Sequence, residues 1–222
     1  MKFVYPQLHT VIDTADGALH TLVIEHQTLF RTLLQDLTMQ LAGEEGYAVV
    51  SQDDTPLNTA KYAELLDRFV PFELNRKPLL NKIAAALERT ALQEQHYAET
   101  MQTLAQTERL LEMLAFDFSC DIVFPPVTAA MLIKAASPQL RAEEKSLAEQ
   151  VLDYMQLVCE FERPKLFITV NLRSYIPDAE MVLFADTALS HGYALLMLEN
   201  REYPRLPQEK RWIVDKDLCE IT

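Results

Sequence analysis

Three cations stand close together at residues 76 to 82, where the sequence predicts the start of a helix: Arg76, Lys77 and Lys82. Pro78 suits the first helical turn, because the N–H that proline lacks has no partner there. Cations at this spacing can contact the phosphates of a nucleic acid without reading its bases. The same pattern is also typical of a solvated helix start. Both interpretations stay open on these residues alone.

Patterns that support catalysis or metal binding are missing from the sequence. None of the four glycines forms a GxG or GxxxxGK[ST] pattern, so no loop is predicted to hold nucleotide phosphates. HExxH and GxSxG are also missing, and no two of the five histidines have a metal-ligand spacing. Cys120, Cys159 and Cys219 form no CxxC pattern, which disfavours a disulfide framework or a zinc knuckle. The sequence therefore gives no support to an enzyme.

The composition is that of a globular protein that stays outside the membrane. The 222 residues are 49% hydrophobic and 24% charged, which excludes disorder. No stretch reaches the roughly 18 uninterrupted apolar residues that a membrane-spanning helix needs, and the start has no signal-peptide pattern. The net charge of −13, if evenly spread, would argue against binding to nucleic acid or to an anionic membrane. We expect a cytoplasmic protein without a membrane partner.

The first third of the chain predicts short strands around one helix. Two β-prone runs, 9–13 and 18–25, flank a turn that contains Gly17, which predicts a β-hairpin. Apolar residues at three- and four-residue steps predict a helix over 27–41. The following segments are predicted as a strand at 47–51, a loop at 52–58, and either helix or strand at 62–74.

The middle of the chain has a helical pattern. Apolar residues recur on one face over 79–115, without Gly or Pro, which predicts one long helix or two in series. A continuous helix of that length would span roughly 55 Å, so it would project from a small domain. The polar residues 93–96 interrupt the apolar face and predict a kink or a break. Shorter helices are predicted at 127–136 and 142–161.

The last third predicts a βαβ unit. The apolar runs 165–171 and 193–198 predict buried strands, and a helix is predicted between them at 177–190. Such a crossover makes the two strands parallel neighbours. One more strand is predicted at 211–214. Because both ends of the chain have α/β character, the helical middle is predicted to be an insertion.

The predicted domains divide the charge unevenly. The α/β head comprises 1–74 and 141–222, and the helical leg comprises 75–140. The leg has six basic and seven acidic residues, so nearly all of the negative charge belongs to the head. An acidic body with a locally basic surface is typical of a ring around DNA, because repulsion outside deters wrong binding while the lining attracts.

Short motifs follow one another in the C-terminal segment: Val170-Asn171, Leu198-Glu199, Arg201-Glu202 and a D-x-D-x-x-x-I pattern over 215–221. In their order and spacing they resemble the small CRISPR-associated accessory protein of type II-A adaptation modules. The similarity extends more loosely to the strand and helix at 19–37 and to residues 72–82 at the head of the long helix. Most of the chain is covered.

The resemblance implies an α/β fold: a P-loop-NTPase-like head with a mainly parallel sheet and no phosphate-binding loop, plus an inserted α-helical leg. It further implies a homotetrameric ring around double-stranded DNA. Members of this family bind linear duplex ends without sequence preference and need calcium (Ca2+) to hold the ring. They assist spacer acquisition alongside the CRISPR integrase proteins and the guide-RNA nuclease, and they are not known as enzymes.

The resemblance also assigns site residues. The family's acidic stretch after the long helix corresponds to Glu112, Asp117 and Asp121, which would supply oxygen ligands to calcium. This sequence has Ser119 and Cys120 where family members often carry more acids, so a solvated helix end stays an alternative.

The expected DNA contacts are Arg76, Lys77, Lys82 and Lys134, the last in a helix that ends in LIK as in the family. Two other functions stay open. One is a degenerate nucleotide hydrolase, which the missing glycines disfavour. The other is a helical docking module that binds other adaptation proteins and has no DNA contact of its own.

Overall fold

The computed structural model describes residues 1–141 and 144–221. The chain divides into two compact units. We call Met1–Leu74 with Ala142–Thr222 the α/β unit, and Asn75–Arg141 the helical unit. Among the helices of the described residues, none has both the length and the apolar composition needed to cross a membrane.

The strands all belong to the α/β unit. They are β1 Lys2–Val4, β2 Ile12–Asp13, β3 Leu19–Ile24, β4 Val49–Gln52, β5 Thr55–Leu57, β6 Ala63–Leu66, β7 Leu166–Val170, β8 Ala194–Glu199, β9 Glu209–Val214 and β10 Glu220–Ile221. The helices are α1 Gln27–Leu41, α2 Thr59–Tyr62, α3 Lys77–Ala91, α4 Glu94–Ala115, α5 Ala129–Ala136, α6 Leu147–Phe161 and α7 Asp178–Ser190, with a 3₁₀ helix at Leu172–Ser174.

The larger sheet has the strand order β10-β9-β3-β8-β7-β6 and is parallel except for β10. Every residue of β3 and β7 is buried, as expected for strands that are covered on both faces. The predicted α/β class with a mainly parallel sheet is confirmed, and so is the βαβ unit of β7, α7 and β8. The similarity of the whole α/β unit to a P-loop NTPase stays a prediction.

The smaller sheet is antiparallel, with the order β2-β1-β4-β5. The predicted hairpin is wrong, because β2 pairs with β1 whereas β3 lies in the larger sheet between β8 and β9. β3 is completely buried because it has a parallel neighbour on each side. Pairing with the two-residue strand β2 alone would have left β3 partly exposed. The predicted loop at 52–58 contains β5 and a tight turn, where Asp53 and Asp54 have φ of 49° and 58°.

The core of the α/β unit lies against α1. This helix contributes Leu29, Leu33 and Leu37 to a cluster that includes buried residues of β3 and β8. The helix predicted over 27–41 is confirmed at both ends. In the segment 62–74, which the sequence left open between helix and strand, residues 63–66 form the strand β6.

The helical unit consists of α3, α4 and α5. The long apolar pattern forms two helices in series, as one of the alternatives predicted, and Gln93 is the N-cap residue of the second helix. The described apolar residues that are buried in this unit are Leu79, Leu104 and Ala129. The start predicted at Ala142 for the next helix lies outside the described residues; α6 begins after Ser146, which forms a capping box with Glu149.

Candidate nucleic-acid interface

Lys77 and Lys134 line one groove of the helical unit, between α3 and α5. The groove has a volume of about 560 Å³, and small side chains such as Ala84 and Ala130 form part of its lining. Both lysines are exposed, and neither forms an ion pair with any of the described residues. The lining also includes one carboxylate, Glu88, so the groove has an excess of one positive charge, which attracts phosphate groups.

The ends of α3 and α5 hold the two lysines near each other. The Asn75 side chain donates from Nδ2 to the carbonyl of Leu140 at 3.1 Å and accepts the Leu140 N–H at Oδ1 at 2.7 Å. This pair joins the start of α3 to the segment after α5. At the other end of α5, the Thr128 hydroxyl accepts the N–H of Met131 at 3.2 Å and so fixes the start of the helix.

The other two predicted DNA contacts lie outside this groove. Arg76 is the half-buried N-cap residue of α3, and its carbonyl accepts the N–H of Leu80 at 3.0 Å. Lys82 is exposed on α3, five residues after Lys77. Five residues correspond to a rotation of about 140° around a helix, so Lys77 and Lys82 point to different sides. The structure brings Lys77 and Lys134 together, and the roles of all four cations in DNA binding stay predictions.

The predicted calcium ligands are exposed carboxylates at the end of α4 and in the segment after it. Glu112 is exposed in the last turn of α4, and Asp117 and Asp121 are exposed in the segment that follows. Among the described residues, no three His, Cys, Asp or Glu side chains come together as a metal ion would require. Calcium takes six to eight oxygen ligands, so a calcium site would need further oxygens beside these three carboxylates. Calcium binding stays a prediction.

The same segment exposes many large apolar side chains. Phe116 is 88% exposed and Val123 is 89% exposed. We call the exposed apolar residues at 110–124 the apolar tip; they are Leu110, Met113, Leu114, Phe116, Phe118, Ile122, Val123 and Phe124. Many large apolar side chains exposed within one short segment are typical of a contact with another molecule.

A polar cluster at the carboxyl ends of β7 and β8 was not predicted as a site. Open α/β sheets bind ligands at this edge. Glu199 ends β8 and is buried, and burial raises its pKa to about 7. Arg173, three residues after β7, is buried next to it and donates its backbone N–H to Glu199 Oε1 at 3.3 Å. The signal in the sequence was a charged residue at the end of one buried strand and another three residues after the neighbouring buried strand.

The junction between β3 and α1 bears on the nucleotide alternative. In a nucleotide-binding α/β fold, free N–H groups at the start of such a helix would contact phosphate. Here His26 is the N-cap residue of α1, and its Nδ1 accepts the N–H of Leu29 at 3.1 Å. The His26 side chain therefore occupies the Leu29 N–H, one of the donors that a phosphate would use.

Comparison with known protein families matches residues 40–218 to the family described as CRISPR-associated protein (Cas_Csn2). The chain belongs to the Csn2 family. The predicted family membership is confirmed, and with it a CRISPR-associated role. The match spans the helical unit with both lysines of the groove, and it extends through the strands β4 to β9. No curated protein matches the chain closely enough to be counted as a relative.

Proposed function

We propose that this member of the Csn2 family is a non-enzymatic homotetrameric ring that binds the ends of double-stranded DNA without sequence preference. In this proposal it assists spacer acquisition in type II-A CRISPR adaptive immunity. It acts in the cytoplasm, beside the CRISPR integrase proteins and the guide-RNA nuclease.

The observation that carries the DNA-binding proposal is the groove that Lys77 and Lys134 share. Their charges are not neutralised within the described residues, and their unit has nearly balanced charge in a chain of net charge −13. Contacts from lysine to phosphate position a protein on a duplex but read no sequence, which agrees with end binding without sequence preference. The acidic surface of the rest of the chain disfavours unspecific contacts elsewhere.

The apolar residues of the helical unit support self-association. Three described apolar side chains are buried in this unit, whereas the apolar tip alone exposes eight. A helical unit with so small a core needs further apolar contact to be stable, and other copies of the chain can supply it. The same exposed residues favour a second candidate function, a helical docking module for other adaptation proteins without DNA contact.

The non-enzymatic assignment is supported by the missing phosphate loop and by the side chain of His26, which caps α1. Calcium is included in the proposal as the ion that holds the ring together. Light scattering in calcium and then in chelator tests this part. We expect a tetramer in calcium and smaller species in chelator; a tetramer of equal size in both would remove calcium from the proposal.

A gel-shift comparison of linear and closed-circular duplex of the same sequence tests the function itself. A ring that loads at ends retards the linear duplex at low salt and leaves the closed circle free. Equal binding of both forms would contradict end loading. If the assembled protein retarded neither form of the duplex, the docking module would be favoured.

A further inference from the structure

We call residues 200–208, which connect β8 to β9, the strap. Tyr203 of the strap lies over the guanidinium of Arg173, with 4.8 Å between the Arg173 Cζ and the ring centroid. Its hydroxyl is 2.8 Å from the hydroxyl of Ser174, and it accepts a hydrogen bond from Arg201 Nε at 2.9 Å. These contacts hold the strap against the 3₁₀ helix that follows β7.

The strap packs over Arg173, which lies beside a second buried residue of opposite charge, Glu199. The two side chains are not paired with each other. The Arg173 side chain is 1% exposed and donates from Nη2 to Asp178 at 2.9 Å, but its Nε and Nη1 have no partner among the described residues. Glu199 is fully buried, and its Oε2 also has no partner there. Buried polar atoms without partners are costly, and an unpaired buried charge is far more costly. The closed arrangement therefore favours the neutral form of Glu199.

The charged groups around Glu199 come from four elements. Three of them act on Glu199 directly: Arg173 of the 3₁₀ helix, Arg201 of the strap and Glu209 of β9. Two others pair with these groups: Asp178 of α7 with Arg173, and Arg211 of β9 with Glu209 at 2.7 Å. The two arginines favour the charged form of Glu199, and Glu209 opposes it. Burial has the largest effect and raises the pKa of Glu199 to about 7.

We propose that the strap is a proton-controlled latch, which stays closed over Arg173 while Glu199 carries its proton and opens as that proton is lost. Once ionised, the carboxylate needs water or a full ion pair. Release of Tyr203 from Arg173 admits water to both groups. Opening also frees Arg201 from the Tyr203 hydroxyl, so the cations of the strap become available in the same step.

The direction of the pH dependence follows from the two states of the strap. When the strap is closed, the pKa of Glu199 is about 7, and when Glu199 is solvated its pKa returns toward the ordinary value of 4.5. Between these two pKa values, Glu199 is ionised in the open state but protonated in the closed state. The equilibrium constant for opening therefore increases by up to about tenfold per pH unit. Above the upper value both states are ionised, and opening levels off.

Hydrogen–deuterium exchange of peptides from the strap, corrected for the intrinsic rate at each pH, measures this opening from about pH 5 to pH 8. We expect the corrected exchange of the wild-type strap to rise with pH and then level off. Glu199→Gln, which mimics the protonated acid, should keep the strap closed throughout. The matched control is Glu202→Gln, which removes an exposed carboxylate of the same strap, 3.7 Å from Arg211, and should keep the wild-type rise of exchange with pH.

A strap that exchanges equally at all pH values in the wild type would overturn the latch. So would a Glu199→Gln variant that keeps the wild-type pH dependence. Tyr203→Leu removes the side-chain contacts of the strap with Arg173 and Ser174, while Arg211 still donates to the carbonyl of Tyr203. It should raise exchange at every pH, which shows that the readout detects opening. If Glu199→Gln does not fold, by circular dichroism, the wild-type profile measured against Tyr203→Leu and Glu202→Gln still decides the proposal.

Discussion

Asn75 and Leu140, 65 positions apart in the chain, are joined by two hydrogen bonds of 2.7 and 3.1 Å. The bonds connect the first residue of the helical unit to the segment after α5. Because Lys77 follows Asn75 and Lys134 lies in the last turn of α5, this pair ties together the two segments that carry the lysines of the groove.

Asn75→Ala removes both bonds and should destabilise the helical unit by about 1–3 kcal/mol, because two partly buried backbone groups lose their partner. We expect the Leu140 amide to lose protection from hydrogen exchange, as measured by NMR. Duplex binding should weaken as well, because the lysines are no longer held at a fixed distance. Asn81→Ala is the control, since Asn81 lines the same groove from the exposed side of α3. Unchanged protection at Leu140 would contradict this account.

The groove also predicts a salt effect. If Lys77 and Lys134 each contact one phosphate, then Lys77→Ala or Lys134→Ala should reduce the slope of log K against log salt by about 0.9. Sequence preference should not change, because phosphate contacts read no bases. Titrations of a labelled linear duplex at several salt concentrations measure the slope.

Lys216→Ala is the matched control for these titrations, because it removes an exposed lysine from the α/β unit. Its slope should equal that of the wild type. Arg76→Ala and Lys82→Ala, measured in the same way, decide whether the DNA surface extends beyond the groove. If both groove variants kept the full slope, the groove would not be the DNA interface.

The apolar tip predicts that assembly depends on exposed residues. Phe116→Ser combined with Val123→Ser removes two of its most exposed side chains, so the fold of a single chain should be unaffected while self-association weakens. Light scattering should show smaller species than the wild type at equal concentration, with unchanged circular dichroism. Val11→Ser is the control, because Val11 is an exposed apolar residue of the α/β unit. Assembly that is unaffected by the double change would place the interface elsewhere.

Local sequence patterns were sufficient to predict elements whose packing partners lie close by in the sequence. The unit of β7, α7 and β8 could be predicted because two fully apolar runs flank one helix, and consecutive parallel strands of this kind pair with each other. The hairpin failed because the partners of β3 are β8 and β9, far along the chain. A strand pattern says which residues are buried but does not identify its neighbours.

The candidate site was predictable only in part, for the same reason. Lys77 could be found from the cations near a helix start, whereas Lys134 came from the family resemblance. The groove that joins them depends on Asn75 and Leu140, whose pairing no local pattern shows. The cluster of Arg173 and Glu199 was missed because its chemistry arises from burial, and burial depends on the strap and the sheet together.

Asp16 joins three segments of the α/β unit. Its Oδ1 accepts the N–H of Ala18 at 3.1 Å and contacts His20 Nε2 at 2.8 Å, and its Oδ2 accepts from Lys210 Nζ at 2.5 Å. Burial opposes the charge, but the hydrogen bonds from Lys210, Ala18 and His20 together lower the pKa of Asp16 to about 2. The carboxylate therefore stabilises the folded state above its ordinary pKa of 3.8, and this contribution is lost as the pH falls toward 2.

Asp16→Asn should lower the free energy of unfolding at neutral pH by about 1 kcal/mol, a value reduced by solvent screening of the partly exposed pair with Lys210. The difference from the wild type should shrink at a pH below 3.8, where the unfolded chain is protonated. Urea unfolding at neutral pH and at about pH 3 measures both values. Asp53→Asn, the same change at an exposed aspartate in the turn after β4, is the control. An equal loss for Asp16→Asn at both pH values would mean that packing, and not the charge, makes Asp16 stabilising.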